Sequence, residues 1–340
     1  MKKTSSDFFR GRKIICFFFR IVVFFTPSGI RRKLHQMNFG CHCLPHSERA
    51  GDDMEIGMIG AGKVGCSMGK YMIEHGFKVA GYVSRHRESS EQAGTFTGTK
   101  VFEDLYELIQ ACGLLCLAVP DDEIGNVWQQ MRGMGEKGSA VHPLAGKIVC
   151  HFSGSLSSAV FSGIESTGAA GCSVHPMYAF SDKFTSYQKL NSAIVTIEGH
   201  ERAAAVMEDM FSNMGNRVLK ISPEAKMRYH CSASLVSNFM TGLFSMGLDL
   251  LKQCGIPEET GRELVGPLVV HNIEAAVRDG AEKTLTGPIE RGDVHTVEGH
   301  LAVLGGEERM IYRLLGQKVL AVAQRKNPDR DYRNISELLQ

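Results

Sequence analysis

Four polar residues recur at every fourth position of one stretch: Lys226, His230, Ser234 and Asn238. Each step of four turns a helix by only about 40°, so one helix would present all four side chains on one face. An amine in this row can act as a general acid that protonates a carbonyl oxygen as a hydride reaches the carbon, while His230 and Asn238 orient that oxygen or a carboxylate. A solvent-facing polar stripe has the same spacing, so both interpretations stay open.

A glycine-rich turn, Gly60-Ala61-Gly62-Lys63-Val64-Gly65, directly follows the short apolar run Ile56 to Ile59. Met68, Met72 and Ile73 then recur at helical spacing, so the segment predicts a strand, a turn and a helix. In this setting the first glycine permits the tight turn, the second lets the backbone approach a pyrophosphate, and the third lets helix pack on strand. The pyrophosphate would lie at the positive end of the helix. The segment therefore predicts a dinucleotide-binding site.

The end of the second predicted strand, residues 78–83, bears on which dinucleotide binds. Ser84-Arg85-His86-Arg87 follows that strand, where an NAD-specific site would place an acidic residue for the ribose hydroxyls. Guanidinium groups bind phosphates through paired hydrogen bonds, so Ser84 and Arg85, with Arg87 nearby, are candidates for a 2′-phosphate. A solvated basic turn is the alternative. We expect NADPH rather than NADH.

Further apolar runs, 114–119 and 147–152, are typical of parallel strands buried on both faces. Ligands of open sheets bind at the carboxyl ends of strands, which predicts Val119 and Pro120 beside the cofactor and Ser153 beside nicotinamide or substrate. A plain turn explains Ser153 equally well. Strands at 192–197 and 217–221, with a helix over 201–214, would extend the sheet. Beyond Ile221 the apolar pattern has a helical period, which predicts an all-α second domain.

A polar turn from Thr286 to Asp293 interrupts the helical pattern of the second half. Thr286, Gly287 and Arg291 offer a hydroxyl, a backbone N–H and a guanidinium to an anionic substrate. The tripeptide Arg291-Gly292-Asp293 also matches a cell-adhesion signal, which we discount in a chain of this type.

Composition narrows the class of protein. Hydrophobic residues make up 43% and charged residues 22%, which is typical of a soluble globular protein and not of a membrane bundle. The 38 basic and 37 acidic residues nearly cancel, so no overall field favours nucleic acid or acidic lipid. Ten scattered cysteines indicate reduced thiols of a cytoplasmic protein. The cluster Cys41, His42, Cys43 and His46 lacks a second ligand pair, so we expect no metal.

Residues 1–53 differ from the rest of the chain. A basic start leads into the apolar run 14–25, which imitates a signal peptide but is short, contains Arg20 and precedes no small-residue cleavage site. Met54 opens the first predicted strand directly. We therefore expect residues 1–53 to be a disordered extension or a wrongly assigned start.

Taken together, these motifs resemble those of Rossmann-like oxidoreductases with a C-terminal domain of unknown function 2520, related to ketopantoate reductase and pyrroline-5-carboxylate reductase. The motifs that carry the resemblance are the glycine turn, Ala118-Val119-Pro120-Asp121-Asp122, His151-Phe152-Ser153-Gly154, Ser173-Val174-His175-Pro176, Lys226 with Tyr229-His230, Ser237-Asn238, and Leu285 to Asp293 with His300.

The resemblance implies a Rossmann domain over 54–222, followed by an all-α domain of the 6-phosphogluconate dehydrogenase C-terminal type over 223–335, which binds substrate and forms a homodimer. Lys226 matches the proton-donating lysine of ketopantoate reductase and its hydroxyacid relatives. His230 stands where those relatives have an asparagine, so their substrate contacts are not carried over directly. The expected substrate contacts are His175, Ser234, Thr286, Gly287 and Arg291.

Three functions follow from these expectations. The first is NADPH-dependent reduction of a small 2-oxo acid, with ketopantoate as the leading candidate. The second is reduction of a cyclic imine such as pyrroline-5-carboxylate, which arrives protonated and needs Lys226 less. The third is a sensor or scaffold that binds NADP without turnover.

Overall fold

The structure, a computed structural model, describes residues 54–136 and 141–340. The expectations for residues 1–53, including the cluster around His42, lie outside the described residues. So does the question of whether Met54 is the natural start.

Eight strands form one sheet in the order β3-β2-β1-β4-β5-β6-β7-β8. The first six are mutually parallel, β7 is antiparallel to β6, and β8 is parallel to β7. The reversal of strand order around β1 is typical of doubly wound sheets that bind nucleotides at their carboxyl edge. The strands are β1 Ile56–Ile59, β2 Val79–Val83, β3 Lys100–Val101, β4 Leu114–Leu117, β5 Ile148–His151, β6 Ala170–Pro176, β7 Val195–Gly199 and β8 Val218–Lys220.

Helices cover both faces of this sheet, which explains why its central strands are apolar throughout. On one face, α1 (Lys63–Glu74) and α5 (Glu201–Asn213) contribute side chains such as Met72 and Met207 to the core. On the other, α3 (Leu105–Ala111) and α4 (Asp121–Gly133) contribute Leu108 and Trp128. Helix α2 (Arg87–Thr97) follows β2. The Rossmann-like prediction for the first half is therefore confirmed.

One strand begins later than predicted. The pattern favoured 192–197, whereas β7 spans Val195–Gly199, because the preceding segment Ser186–Ser192 forms 3₁₀ turns. The side-chain amide of Asn216 fixes that segment by donating to the carbonyl oxygens of Leu190 at 2.7 Å and Ala193 at 3.0 Å. A contact between residues so far apart in sequence leaves no local pattern.

Every element described after Lys220 is helical, as predicted. These elements are α6 Lys226–Val236, α7 Asn238–Gln253, α8 Glu258–Asp279, α9 Ala281–Thr284, α10 Pro288–Arg291, α11 Val294–Val303, α12 Gly306–Lys326 and α13 Arg333–Leu338. A separate hydrophobic core joins α10 to α13, and Ile289, Leu301 and Leu320 belong to it.

The prediction of one helix carrying Lys226, His230, Ser234 and Asn238 is wrong. Helix α6 ends at Val236, and Ser237, with φ −119° and ψ −75°, separates it from α7. Serine and asparagine form hydrogen bonds that compete with the helical ladder, so a Ser-Asn pair favours a boundary rather than a helix interior. Asn238 thus opens α7, and the fourth member of the row does not share a continuous face with the first three.

Candidate functional site

The glycine turn is required by the packing of the fold at two of its three glycines. Gly60 has φ +102°, and a Cβ there would lie 2.6 Å from the carbonyl oxygen of Ala118. A Cβ on Gly65 would lie 2.1 Å from the carbonyl oxygen of Gly60, so only glycine lets α1 approach β1 this closely. Gly62 differs because a Cβ there would meet nothing within 4 Å. The second glycine therefore faces open space at the start of α1.

A cavity of about 530 Å³ opens beside this turn. Its walls contain the predicted cofactor residues Gly60, Ala61, Gly62, Ser84, Arg85, Val119 and Pro120. Lys63 and Val64 form the first turn of α1, and Gly65 packs beneath the cavity. The sequence did not single out Glu123, Leu105 and Val127, which also line it. Parallel strands β1, β2 and β4 bring these segments together, because all three end at the same edge.

The two arginines after β2 differ in their surroundings. Arg85 lines the cavity, and its Nη1 lies 3.4 Å from Oε1 of Glu123, with 72% of its side chain exposed. Arg87 donates to Glu91 at 2.9 Å and to Glu103 at 2.6 Å, outside the cavity. Ser84 donates to the carbonyl oxygen of His86 at 2.7 Å. Of the two guanidinium groups, Arg85 is the one positioned for a ligand of this cavity.

A second group of polar residues lies at the carboxyl edge of β5 and β6, around Lys226. The side chain of Lys226 is 1% exposed, and its ammonium group donates to the hydroxyl of Ser173 on β6. In the sheet, Ser173 pairs with Glu198 of β7, a carboxylate that is only 4% exposed. Burial lowers the pKa of Lys226 to about 8, although Glu198 and Asp121 raise it in part. This amine can therefore hold or release a proton near neutral pH.

Glu198 is the residue of this site that sequence reasoning missed. Its Oε1 accepts from the backbone N–H of Ser158 and its Oε2 from the Ser158 hydroxyl, each at 2.7 Å. A buried carboxylate needs such partners to offset its desolvation. The available signal was a glutamate within the apolar strand Val195–Gly199.

The Ser153 hydroxyl binds a second carboxylate, that of Asp121. Its Oγ donates to Oδ2 of Asp121 at 2.7 Å, and Ser155 donates to the same oxygen at 2.6 Å. The Ser153 Oγ also accepts from the backbone N–H of Leu156 at 3.0 Å. These bonds join the end of β5 to the start of α4, so Ser153 shapes the edge of the site as a turn residue.

Two histidines of this edge are held neutral. Burial and the charge of Lys226 lower the pKa of His175 to about 4, and the same two causes lower that of His151 to about 4. His175 Nδ1 lies 2.9 Å from the Tyr229 hydroxyl, while His151 Nδ1 accepts from the backbone N–H of Ser153 at 3.2 Å. His230 is half-buried on α6, with its ring centroid 6.2 Å from that of His175.

The structure brings only part of the predicted substrate site together. Lys226, His230, His175 and Ser153 meet at the edge of the sheet. Ser234 is half-buried further along α6, whereas Asn238 is exposed and lines a groove with Phe239 and Glu307.

The predicted polar turn belongs to the core formed by α10 to α13. Thr286 and Arg291 are exposed there, Gly287 has φ +112°, and Arg291 Nη2 lies 3.8 Å from Oδ2 of Asp293. The neighbouring Glu290 is 9% exposed and accepts from Asn327 at 2.8 Å, which fixes the turn on α12. Within residues 54–136 and 141–340, no group of three or more His, Cys, Asp and Glu side chains is arranged to hold a metal ion.

Two family models match the chain. Residues 46–176 match a Rossmann-like domain, and residues 193–319 match the Domain of unknown function (DUF2520). The chain therefore carries a Rossmann-like domain followed by a DUF2520 domain, which confirms the resemblance stated from its motifs. No curated protein matches the chain.

Solved structures show the same fold at low sequence identity. A protein from Bacteroides fragilis, provisionally named an NADP oxidoreductase, is 22% identical, with TM-score 0.63 over 79% of this chain and 99% of its own. A reductive aminase from Aspergillus terreus, in complex with NADPH and ethyl-5-oxohexanoate, is 15% identical, with TM-score 0.56 over 84% and 98%. An imine reductase from Pseudomonas sp. is 14% identical, with TM-score 0.53 over 84% and 91%. These similarities establish the architecture.

Proposed function

We propose that this chain, a Rossmann-like protein with a DUF2520 domain, is an oxidoreductase that reduces a small 2-oxo acid with NADPH. The observation that carries the proposal is the position of Lys226, whose ammonium group contacts Ser173 at the same sheet edge as the glycine turn. Bound NADPH would supply the hydride. A carbonyl that accepts a hydride at carbon needs a proton at oxygen, and an amine whose pKa is about 8 can supply one near neutral pH.

Ketopantoate is the leading substrate, because a neutral carbonyl acceptor depends on an acid more strongly than a protonated imine does. The direct test follows the loss of NADPH absorbance with a panel of 2-oxo acids that includes ketopantoate. Reduction of at least one 2-oxo acid is expected. If the protein reduces cyclic imines but no 2-oxo acid, cyclic imines replace 2-oxo acids as the proposed substrate class.

The preference for NADPH over NADH rests on Arg85. Its guanidinium group borders the cavity and is largely exposed, and its ion pair with Glu123 is long, at 3.4 Å. Exposed pairs of this kind contribute little, so a 2′-phosphate can replace the Glu123 carboxylate at Arg85. Arg87 is less suited, since Glu91 and Glu103 occupy its donors.

A second candidate, reduction of a cyclic imine, is supported by the charges around Lys226. Two carboxylates, Glu198 and Asp121, act on the amine, and a site of this kind favours a cationic iminium over an anion. Lys226→Ala separates the candidates, because it should abolish reduction of a ketone and impair reduction of a protonated imine less. A sensor that binds NADP without turnover is the remaining candidate, favoured if no substrate of either class is reduced.

We also propose that the protein is a cytoplasmic homodimer. Helices α6 to α8 leave large apolar side chains exposed, among them Val236 at 76%, Phe239 at 61% and Leu268 at 60%. By length and composition alone, the segment Pro223–Gln253 could span a membrane. Only 6% of its most apolar part is buried inside the protein. Pairing with a second copy would cover this surface, and obligate dimer interfaces are apolar in this way. Sedimentation of the purified protein at twice the monomer mass would support this, whereas a monomer would exclude it.

A further inference from the structure

Two ring nitrogens converge beside Gly154, at the carboxyl edge of β5. A Cβ on Gly154 would lie 2.8 Å from Nε2 of His175 and 2.6 Å from Nδ1 of His230. The nitrogen of His230 is buried and has no hydrogen-bond partner in the described part of the chain. Ligands of open α/β sheets bind outside this edge. A substrate heteroatom there would meet imidazole nitrogens rather than an amine.

The proton on His175 is placed by its contact with Tyr229. Burial raises the pKa of Tyr229, so the phenol keeps its proton and can donate it to Nδ1 of His175, which lies 2.9 Å from the phenol oxygen. A neutral imidazole that accepts at one nitrogen carries its proton on the other. With Tyr229 as the donor, His175 presents an N–H at Nε2, the nitrogen beside Gly154.

Lys226 acts on the His175 ring through its charge. Its side chain is 1% exposed, and its ammonium group donates a hydrogen bond to the Ser173 hydroxyl. The charge nevertheless lowers the proton affinity of His175, so the two groups are electrostatically coupled. The positive charge of Lys226 therefore favours loss of a proton from His175.

We propose that His175 is the residue that hands the proton to the substrate, with Tyr229 restoring the proton to its ring. The inference rests on the proposed reductase function and names the catalytic group. As hydride adds to the carbon of C=X, the π pair moves to X, which takes the proton from Nε2. Nδ1 takes the proton of Tyr229. When water protonates Nε2, the proton on Nδ1 returns to the phenolate, which restores both groups.

The kinetic test compares His175→Gln with Tyr229→Phe on the first substrate of the panel that the wild-type protein reduces. Glutamine can donate a hydrogen bond but cannot relay a proton, so kcat should fall by about a hundredfold or more with KM changed little. Tyr229→Phe should lower kcat by about tenfold. His75→Gln is the matched control, because His75 is exposed and bonds its own helix at Tyr71. The NADPH dissociation constant of each variant reports whether it is folded.

Nuclear magnetic resonance of ¹⁵N-labelled histidine provides a readout that needs no substrate. The neutral Nε2–H form of His175 is expected in the wild-type protein at neutral pH, with this preference weakened in Tyr229→Phe. An Nδ1–H form, or wild-type kcat in His175→Gln, would overturn the proposal while leaving the reductase function intact. A wild-type protein that binds NADPH but reduces nothing in the panel would overturn the reductase function, and this proposal with it.

Discussion

Ser173 on β6 pairs with Glu198 on β7, and this one register brings a buried carboxylate to the strand position that receives the Lys226 ammonium group. This pairing is possible because β7 runs antiparallel to β6 and lies directly beside it. Charge at the site is therefore set by the extension of the sheet beyond its nucleotide-binding half.

Glu198→Gln should shift the pH dependence of turnover. Burial lowers the pKa of Lys226, whereas the negative charge of Glu198 raises it in part. Removing the charge of Glu198 should therefore lower the pKa of Lys226 below about 8. The activity that depends on the protonated amine should then be lost at a lower pH than in the wild-type protein. The measurement is kcat against pH between neutrality and the alkaline limb. Glu165→Gln, a change at an exposed residue, should leave the pH profile unchanged. An unshifted alkaline limb in Glu198→Gln would show that Glu198 does not influence this pKa.

Acid should destabilise the protein through its buried histidines. The pKa values of His151 and His175 fall from 6.5 to about 4 on folding, so between these values the unfolded chain binds more protons than the folded one. The contribution of these histidines to the free energy of unfolding is therefore fully present above pH 6.5 and is lost as the pH falls towards about 4. For the fully buried His151 this loss is on the order of 3 kcal/mol. Urea unfolding across this range measures the slope. His175→Asn should flatten it, and an identical slope in that variant would contradict the assignment.

Arg85→Ala should weaken NADPH binding far more than NADH binding. A charged hydrogen bond to the 2′-phosphate accounts for about 1–3 kcal/mol, whereas NADH has no group to lose there. Titration calorimetry with both cofactors gives the comparison. Arg87→Ala is the control, because its donors are engaged by Glu91 and Glu103, and it should change neither affinity by much. Equal losses for both cofactors in Arg85→Ala would refute the phosphate contact.

The two glycines around the start of α1 should respond in opposite ways. Gly62 has φ −75°, and a Cβ there would meet nothing within 4 Å, so Gly62→Ala should melt near the wild-type temperature. The added methyl group would face the pyrophosphate, so the affinity for the dinucleotide should fall. Gly65→Ala would place a Cβ 2.1 Å from a backbone oxygen and should destabilise the fold itself. Thermal unfolding and NADPH titration of both variants separate the two effects. Unchanged NADPH affinity in Gly62→Ala would argue against a pyrophosphate at this turn.

Strands β1, β2, β4 and β5 were predicted well, because they are buried along most of their length and are therefore largely apolar. Strand β3 was not predicted, since it has only two residues, of which Lys100 is exposed. The glycine turn was predictable for a similar reason, since close approach of backbones leaves a residue-type requirement at fixed spacing. The continuous row from Lys226 to Asn238 was not, since helical spacing cannot show where the ladder breaks at Ser237. Glu198 escaped notice because its partners, Ser158 and Ser173, come from distant segments. Long-range pairing of this kind leaves no local periodicity.

In the proposed reductase, one sheet edge joins a dinucleotide cavity to the proton-holding group around Lys226. The most direct test is the rate of NADPH oxidation with a panel of 2-oxo acids, measured for the wild-type protein and for Lys226→Ala under conditions where both bind NADPH. We expect turnover by the wild-type protein with at least one 2-oxo acid and loss of that turnover in the variant. Equal turnover by the two proteins would contradict this expectation.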